Sequence, residues 1–354
     1  MSTIAALSWT QGMSFYQVGT SYRGKEQSLA SGEITVLSIS VMVPTYRRPL
    51  DLRRCLGALA EQCMPADEVI IVVRDTDSDT WEMLKGGDAA NLPLRTVSVS
   101  EPGLVNAMNA GLAEVQTDIV AITDDDAAPR PDWLERIAAT FAANQKIGGV
   151  GGRDYMHIGG VLQDGRARVV GKVPLFGKHI GNHHLGFGEP REVDMLKGVN
   201  GAYRTAAIRD IGFDTRLKGT GAQIHWEISL GIKLRRAGWK LIYDPKITVD
   251  HYLARRFDED QRVGFNALAT QNTAYNEALI RLEHVSTFGR IAHLIWAILV
   301  GTRVLPGLAQ WVRFVPRQGS VAGKKFHATV LGRIHAWNDT KLAERTRRNE
   351  SARL

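Results

Sequence analysis

Residues 118–126, DIVAITDDD, place an apolar run directly before three adjacent carboxylates. Residues 119–122 have the apolar, β-branched character of a buried strand, so Asp124, Asp125 and Asp126 are expected to follow its carboxyl end. Adjacent carboxylates repel one another, and a cation, a raised pKa or solvent relieves the repulsion. Two interpretations therefore stay open from these residues, a metal-binding cluster and a solvated acidic loop that caps the next helix.

Strand and helix signals alternate on both sides of this stretch, which predicts an α/β fold with a doubly wound, mostly parallel sheet and helices on both faces. The predicted strands are 37–43, 69–73, 94–99 and 118–123, and the predicted helices carry Leu52, Leu56 and Leu59, then residues 104–115, then Trp133, Ile137 and Phe141. From Gly148 glycines become dense and the alternation lapses until about residue 191. A strand at 193–203, a helix at 226–237 and a strand at 240–243 are predicted to follow.

These patterns predict four parts: a loose N-terminal extension at 1–34, an α/β half at 35–150, a mixed acceptor-side half at 151–285, and a helical, basic tail at 286–354. The chain has 354 residues, which is enough for one or two domains. Its net charge of +7 suits anionic partners such as nucleotide phosphates, lipids or nucleic acid. No nucleic-acid motif accompanies the charge, so that partner is not expected.

Polar side chains follow three predicted strands, where ligands bind in open parallel sheets. Pro44, Thr45, Tyr46 and Arg48 follow the first, Arg74 and Asp75 the second, and the three aspartates the fourth. The first turn has no glycine, which argues against a dinucleotide fold. Alternation along an extended chain would put Asp124 and Asp126 on the side that faces the ligand, and Asp125 on the other side. Hard cations such as Mg²⁺ or Mn²⁺ take carboxylates together with substrate phosphates.

The tail leaves a further alternative open. The longest apolar stretch, residues 291–302, is too short to span a membrane, and residues 1–30 lack a secretory pattern, so a cytoplasmic protein is expected. Ile291, Leu294, Ile295, Ile298 and Leu299 have helical spacing, and basic residues follow them. One interpretation is an in-plane anchor on the anionic inner face of the cell membrane. The other is a helix packed on the protein's own core with a solvated tail.

Five motifs between Ser38 and Tyr252 together resemble the nucleotide-sugar-binding (GT-A) fold of the family 2 glycosyltransferases. They are SVMVPTYRRPLDLRRCL (40–56), VIIVVRDTDSD (69–79), EPGLVNAMNAGL (101–112) with DIVAITDDD, GVNGAYRTAAIRDIGFD (198–214), and HWEISLGIKLRRAGW (225–239) followed by VDHY (249–252). The resemblance implies sugar transfer from a nucleotide-diphosphate donor to a hydroxyl of a glycan or lipid-linked acceptor, in surface polysaccharide or glycolipid assembly.

The resemblance also implies that residues 35–150 form the nucleotide-sugar-binding half and residues 151–285 the acceptor-binding and catalytic half, and it implies roles for single residues. Donor contacts would come from Pro44, Thr45, Tyr46, Arg48, Asp75, Asn106 and Asp124. Asp124, Asp126 and His251 would hold Mn²⁺ or Mg²⁺, and Glu227 would be the catalytic base. A solvated helix-start acid is the alternative for Glu227, and a merely hydrogen-bonded side chain is the alternative for His251. His183, His184 and His225 are further histidine candidates.

The chain departs from the family pattern at two positions. Arg74 stands where a first acid is frequent, and Trp226-Glu227 replaces Glu-Asp. The Gln-x-x-Arg-Trp signature of processive synthases is absent, so an inverting enzyme that adds one sugar is expected. Two other functions stay open: a non-catalytic binding or scaffold protein of this fold, and a sugar nucleotidyltransferase, which would typically open with a glycine-rich first loop.

Overall fold

The computed structural model describes residues 37–87, 91–174, 178–259, 264–284 and 286–351. The predicted extension at 1–34 lies outside the described residues. The strands are β1 (Ile39–Thr45), β2 (Glu68–Arg74), β3 (Leu94–Val99), β4 (Ile119–Ile122), β5 (Ala127–Pro129), β6 (Ile147–Ile158), β7 (Val161–Leu162), β8 (Arg191–Val193), β9 (Gly201–Arg204) and β10 (Lys240–Tyr252). The helices are α1 (Pro49–Ala60), α2 (Ser78–Lys85), α3 (Leu104–Glu114), α4 (Trp133–Ala143), α5 (Thr205–Ile208), α6 (Trp226–Arg236), α7 (Ala267–His284), α8 (Thr287–Leu299), α9 (Leu308–Gln318) and α10 (Ser320–Ser351).

One sheet joins the described strands in the order β3-β2-β1-β4-β9-β6-β10-β5, with β7 on β6 and β8 on β10. Strands β1 to β4 pair in parallel, and so do β6 and β10. The short β9 is antiparallel to both β4 and β6, so the six strands β1–β4, β6 and β10 share one direction. The mostly parallel α/β sheet predicted from the sequence is confirmed.

Alternation along the central strands fills two apolar cores, one on each face of the sheet. Val41 and Val43 of β1 point into a core with α1 and α4, while Met42 points into the opposite core with α3, α6 and α7. Because all three side chains are fully buried, β1 lies between two helical layers. This arrangement leaves the carboxyl ends of β1, β2 and β4 at one edge of the sheet.

The prediction was wrong for residues 193–203, which do not form one strand. Strand β8 ends at Val193 and β9 begins at Gly201. Between them the chain turns at Lys197, whose carbonyl accepts a hydrogen bond of 3.1 Å from the Asn200 N–H. The apolar residues that suggested a strand, including Leu196 and Val199, are buried in the two cores from this irregular segment. Burial, and not strand geometry, explains their apolar character.

The glycine-dense stretch is a strand rather than a lapse in the pattern. Gly148, Gly149, Gly151 and Gly152 lie in β6, which continues from residue 147 to residue 158 across the predicted boundary at 150. A Cβ on Gly152 would lie 1.8 Å from the Ile247 carbonyl oxygen, at a register shift between β6 and β10. Glycine is needed there because the backbone of β10 approaches closely.

The C-terminal region is helical, as predicted, and α10 packs along α7. Gly332 lies against the backbone of Gln271 and Tyr275, and the Tyr275 hydroxyl donates a hydrogen bond of 2.8 Å to Asp339. Ala336 is fully buried at this contact. No helix among the described residues has both the length and the apolar composition needed to cross a bilayer.

Candidate active site

The three aspartates leave β4 in a tight turn. The Ala127 N–H donates to the Asp124 carbonyl at 3.1 Å, and β5 then begins at Ala127. The turn, and not the alternation of an extended chain, brings Asp124 and Asp126 to one side. Asp125 is fully buried, accepts a hydrogen bond of 2.7 Å from the Thr45 hydroxyl and lies 3.1 Å from Arg48 Nη1. Asp125 therefore fixes the turn after β1.

Carboxylate oxygens of Asp124 and Asp126 and a ring nitrogen of His251 lie within 4.8 Å of one another. His251 is on β10, and its Nε2 is 3.4 Å from Asp126 Oδ1. This oxygen is buried and has no hydrogen-bond partner in the protein. A buried carboxylate oxygen without a hydrogen-bond partner is stabilised by a bound cation. Two carboxylates and one imidazole fit Mn²⁺, and the carboxylates alone fit Mg²⁺.

A second layer of charge lies behind His251. The Nδ1 atom of His251 is 3.5 Å from Asp154 Oδ2, and Lys197 forms an ion pair with the same oxygen. Asp154 is fully buried on β6, and Lys197 belongs to the turn before β9. Metal-binding histidines commonly face a carboxylate through their second nitrogen, which fixes the ring orientation. Asp154 can do so here and leave Nε2 facing the aspartates.

The pKa values of the cluster reflect burial together with opposite charges. Burial alone would lower the pKa of His251, but Asp126 and Asp154 outweigh it and raise this pKa to about 9. Burial would raise the pKa of Asp126, but His251 and Arg48 hold it below its usual value. Burial is also the largest cause that raises the pKa of Asp125 to about 7. Burial and the neighbouring Asp126 both raise the pKa of Asp124.

A cleft of about 840 Å³, including space open to solvent, adjoins the cluster. The predicted donor-binding residues Pro44, Thr45, Tyr46, Arg48 and Asp124 line it, together with the predicted metal ligand Asp126. At the wall that β1 and β2 supply, the Arg74 guanidinium lies 4.4 Å from the Tyr46 ring centre and 3.5 Å from Asp258. Phe257 packs edge-on against Tyr46 with ring centres 6.4 Å apart. The cleft therefore has an aromatic and cationic wall beside an acidic end.

Two predicted donor-binding residues are not in the cleft wall. Asp75 is exposed, and its backbone N–H donates to the Val99 carbonyl at 2.9 Å. The Asn106 side chain donates to the Pro102 carbonyl at 2.8 Å. The cleft is instead lined by Arg74, directly before Asp75, and by Leu104 and Ala107 of α3.

Other residues of the site were missed from the sequence. Thr220 and Gly221 line the cleft, and no sequence signal had marked them as part of the site. Asp154 and Lys197 were overlooked because their contact joins β6 to a turn 43 residues later in the chain. The one local signal for Asp154 is its place at the end of the glycine-dense stretch, where a close strand pair is needed.

Glu227 is the second residue of α6, and its carboxyl group is influenced by the charge of Asp124. Burial raises its pKa, backbone N–H groups of Glu227 and Gly198 oppose the rise, and the charge of Asp124 adds to it. Its side chain keeps partial exposure. His225, two residues earlier, has a φ of 83°, a left-handed conformation that side chains other than glycine rarely adopt. A partly exposed carboxylate with a raised pKa can accept a proton.

The remaining histidine candidates lie outside the acidic cluster. His183 is buried, and its Nε2 is 3.2 Å from the Met195 carbonyl. His225 packs edge-on against His179 with ring centres 5.0 Å apart. Burial lowers the pKa of both His183 and His225 to about 4. His184 is half-buried, and its backbone carbonyl accepts a hydrogen bond from Arg153.

Residues 40–212 match the family model described as glycosyl transferase family 2. The chain belongs to this family. The matched segment contains β1 to β9 and the three aspartates, and α6 with Glu227 and His251 follow it. The fold and the acidic turn of this family 2 chain therefore agree with the resemblance inferred from its motifs.

Two relatives of this family 2 chain come from Haloferax volcanii. Glycosyltransferase AglE is 29% identical over 112 residues, which are 30% of this chain and 36% of that protein. The chain thus matches about a third of that relative's length. Glucosyl-dolichyl phosphate glucuronosyltransferase is 28% identical over 232 residues, 61% of this chain and 70% of that protein.

Solved structures agree with the fold. The mannosyltransferase PcManGT from Pyrobaculum calidifontis, in complex with GDP-Man and Mn²⁺, aligns with a TM-score of 0.51 at 16% identity, over 90% of this chain and 91% of that one. S. aureus TarS 1–349 also gives a TM-score of 0.51 at 16% identity, over 88% and 92% of the two chains. At this identity the likeness establishes the GT-A architecture of the family 2 chain.

Proposed function

We propose that the protein transfers a sugar from a nucleoside diphosphate donor to an acceptor hydroxyl, with Mn²⁺ or Mg²⁺ as cofactor. The observation that carries this proposal is the cluster of Asp124, Asp126 and His251, whose two aspartates line the cleft. A bound divalent cation would act as a Lewis acid and stabilise negative charge on the departing diphosphate.

The proposed donor orientation follows from the chemistry of the cleft. The nucleoside end is assigned to the wall of Pro44, Thr45, Tyr46 and Arg74, where an aromatic ring and a guanidinium can contact a base. The diphosphate end is assigned to Asp124, Asp126 and His251, with Arg48 adding positive charge 3.2 Å from Asp126. Contacts from Asp75 and Asn106 stay predictions.

Glu227 is proposed as the general base. Its raised pKa makes it a stronger base than an ordinary glutamate, which suits removal of a proton from an acceptor hydroxyl as that oxygen forms a bond to the anomeric carbon and the diphosphate departs. Attack from the side opposite the leaving group inverts the configuration at that carbon. The proposal is for single addition, with the acceptor bound by the half at 151–285.

The proposed acceptor is a glycan or a lipid-linked glycan at the inner face of the cell membrane. Support comes from the names of two relatives, the glucosyl-dolichyl phosphate glucuronosyltransferase and the amylovoran biosynthesis glycosyltransferase AmsE of Erwinia amylovora, 32% identical over 111 residues. Both names specify transfer in lipid-linked or polysaccharide assembly.

A nucleotide-release assay separates this proposal from its rivals. The purified chain is given a panel of nucleotide sugars with Mn²⁺, with Mg²⁺ or with EDTA, each with and without acceptor extract. Release of a nucleoside diphosphate that needs both metal and acceptor is expected. Donor binding without release in any combination would favour a scaffold protein, and pyrophosphate release from a nucleoside triphosphate with a sugar phosphate would favour a nucleotidyltransferase.

A further inference from the structure

Helix α8 has an apolar face that the rest of the described chain does not cover. Phe288, Ile291, Ile295 and Ile298 follow one another at intervals of three and four residues, and their exposed fractions are 78%, 51%, 54% and 49%. The opposite face packs on the protein, with His293 and Ala297 buried and Leu294 against the core. The helix is therefore apolar on both its inner and its outer side.

Helix α9 continues this apolar surface. Leu308, Val312 and Val315 lie on one side of it and are 44%, 59% and 39% exposed, and none of its eleven described residues is buried. Arg313 and Arg317 lie on the other side. An apolar face opposite an arginine-bearing face is typical of a helix that lies in the plane of a membrane interface.

The turn between the two helices is fixed by buried contacts. Arg333 of α10 is buried and donates hydrogen bonds of 2.6 Å to the Ala297 carbonyl and 3.1 Å to the Leu305 carbonyl. A Cβ on Gly307 would lie 2.7 Å from the Ala297 carbonyl oxygen, so the turn needs glycine there. Val300 and Val304 of the turn are exposed, at 40% and 59%. The exposed apolar residues are thus held by a rigid support.

The charge around this surface favours one partner. From residue 285 to residue 338 the sequence has no Asp or Glu, whereas it has seven Lys or Arg, of which Arg303, Arg313, Arg317 and Lys324 are exposed. Such a surface is attracted to anionic lipid headgroups, and a second copy with the same positive charge is repelled. Helix α8 has 13 residues, about 20 Å, which is shorter than a bilayer core of about 30 Å.

We infer that α8 and α9, with their connecting turn, dock this chain in the plane of an anionic lipid bilayer. The outer face of α8 and the apolar side of α9 enter the acyl boundary, while the exposed arginines and Lys324 contact anionic headgroups. Because docking needs neither donor nor metal, it is independent of the proposed glycosyl transfer, although it would bring the site to a lipid-linked acceptor.

The test is co-sedimentation of the full chain with vesicles of phosphatidylcholine alone or with 30% phosphatidylglycerol. The variant Ile291→Ser/Ile295→Ser/Val312→Ser is expected to bind the anionic vesicles at least about tenfold more weakly than wild type. Its control is Val161→Ser/Val169→Ser/Leu342→Ser, which changes residues that are 63%, 50% and 65% exposed elsewhere, and should bind as wild type does.

A charge series completes the test. Arg303→Gln/Arg313→Gln/Arg317→Gln is expected to lose at least about tenfold in anionic-vesicle binding, and Lys146→Gln/Arg168→Gln/Lys246→Gln, exposed on other surfaces, to lose less than twofold. Equal binding by wild type and the serine variant would overturn the inference. So would a wild-type dimer, by light scattering, that the serine variant converts to monomer without a change in vesicle binding. Nucleotide release with a water-soluble acceptor reports on catalysis separately.

Discussion

At the scale of single residues, Glu227 differs from an ordinary acid at a helix start. Burial and Asp124 raise its pKa, whereas the first-turn acid of α4, Glu135, is exposed. We expect Glu227→Gln to lower kcat for transfer by about 10²–10⁴-fold, because a positioned general base contributes that much. The nucleoside diphosphate Kd should change less than twofold. Glu135→Gln is the control, and transfer by Glu227→Gln at the wild-type rate would refute the role of base.

Asp154 gives a second prediction at this scale, through the orientation of His251. Asp154→Asn removes the charge 3.5 Å from His251 Nδ1, so the ring loses its fixed partner. We expect Mn²⁺ affinity, measured by electron paramagnetic resonance, to fall about 10–100-fold, as for other carboxylates behind a metal-binding histidine. Asp164→Asn, at a side chain 81% exposed, is the control. Unchanged Mn²⁺ affinity in a folded Asp154→Asn variant would show that Asp154 is only structural.

At the scale of elements, the two glycines Gly57 and Gly152 should respond oppositely to a methyl group. In α1 nothing lies within 4 Å of a Cβ on Gly57, so Gly57→Ala should stabilise the protein by roughly 0.5–1 kcal/mol. In β6 a Cβ on Gly152 would overlap the Ile247 carbonyl oxygen, so Gly152→Ala should destabilise it by about 3 kcal/mol or more. Urea unfolding measures both, and equal effects would contradict the close approach of β6 and β10.

The elements also explain how far the sequence could predict this fold. The strand at Leu94–Val99, the helix from Leu104 and the strand at Ile119–Ile122 were predicted within a residue or two, because each carries its own hydrophobic pattern. Strand β6 was missed because its glycines are required by the close approach of the β10 backbone. That backbone lies about 90 residues later in the chain. The segment 193–203 was mistaken for a strand because a buried loop has the same apolar composition.

The candidate site, like the fold, could be predicted only where local sequence patterns determine it. The aspartates follow β4 and Glu227 lies in the first turn of α6, so local patterns could mark them, whereas His251 lies within β10 and was named from the family resemblance. Which neighbours orient them depends on long-range pairing. Asp154 reaches His251 only because β6 and β10 run side by side, and Arg74 lines the cleft because of the direction in which β2 ends.

At the scale of the whole molecule, donor and metal binding should be coupled. The cluster of Asp124, Asp126 and His251 adjoins the cleft, so a nucleoside diphosphate and Mn²⁺ would share one site and each would strengthen binding of the other. A ligand present at 100 times its Kd stabilises the folded state by about 2.7 kcal/mol. For a chain of 354 residues this corresponds to a rise in Tm of about 3–4 °C.

We therefore expect the correct nucleoside diphosphate to raise the Tm by this amount with Mn²⁺ present and by less than 1 °C with EDTA. Scanning calorimetry with a panel of nucleoside diphosphates would also identify the base. Asp124→Asn/Asp126→Asn should abolish the Mn²⁺-dependent rise, whereas Asp132→Asn/Asp164→Asn, at side chains 38% and 81% exposed, should keep it. A rise that is equal in EDTA would place the nucleotide in the cleft without a metal, because the two ligands would then bind independently.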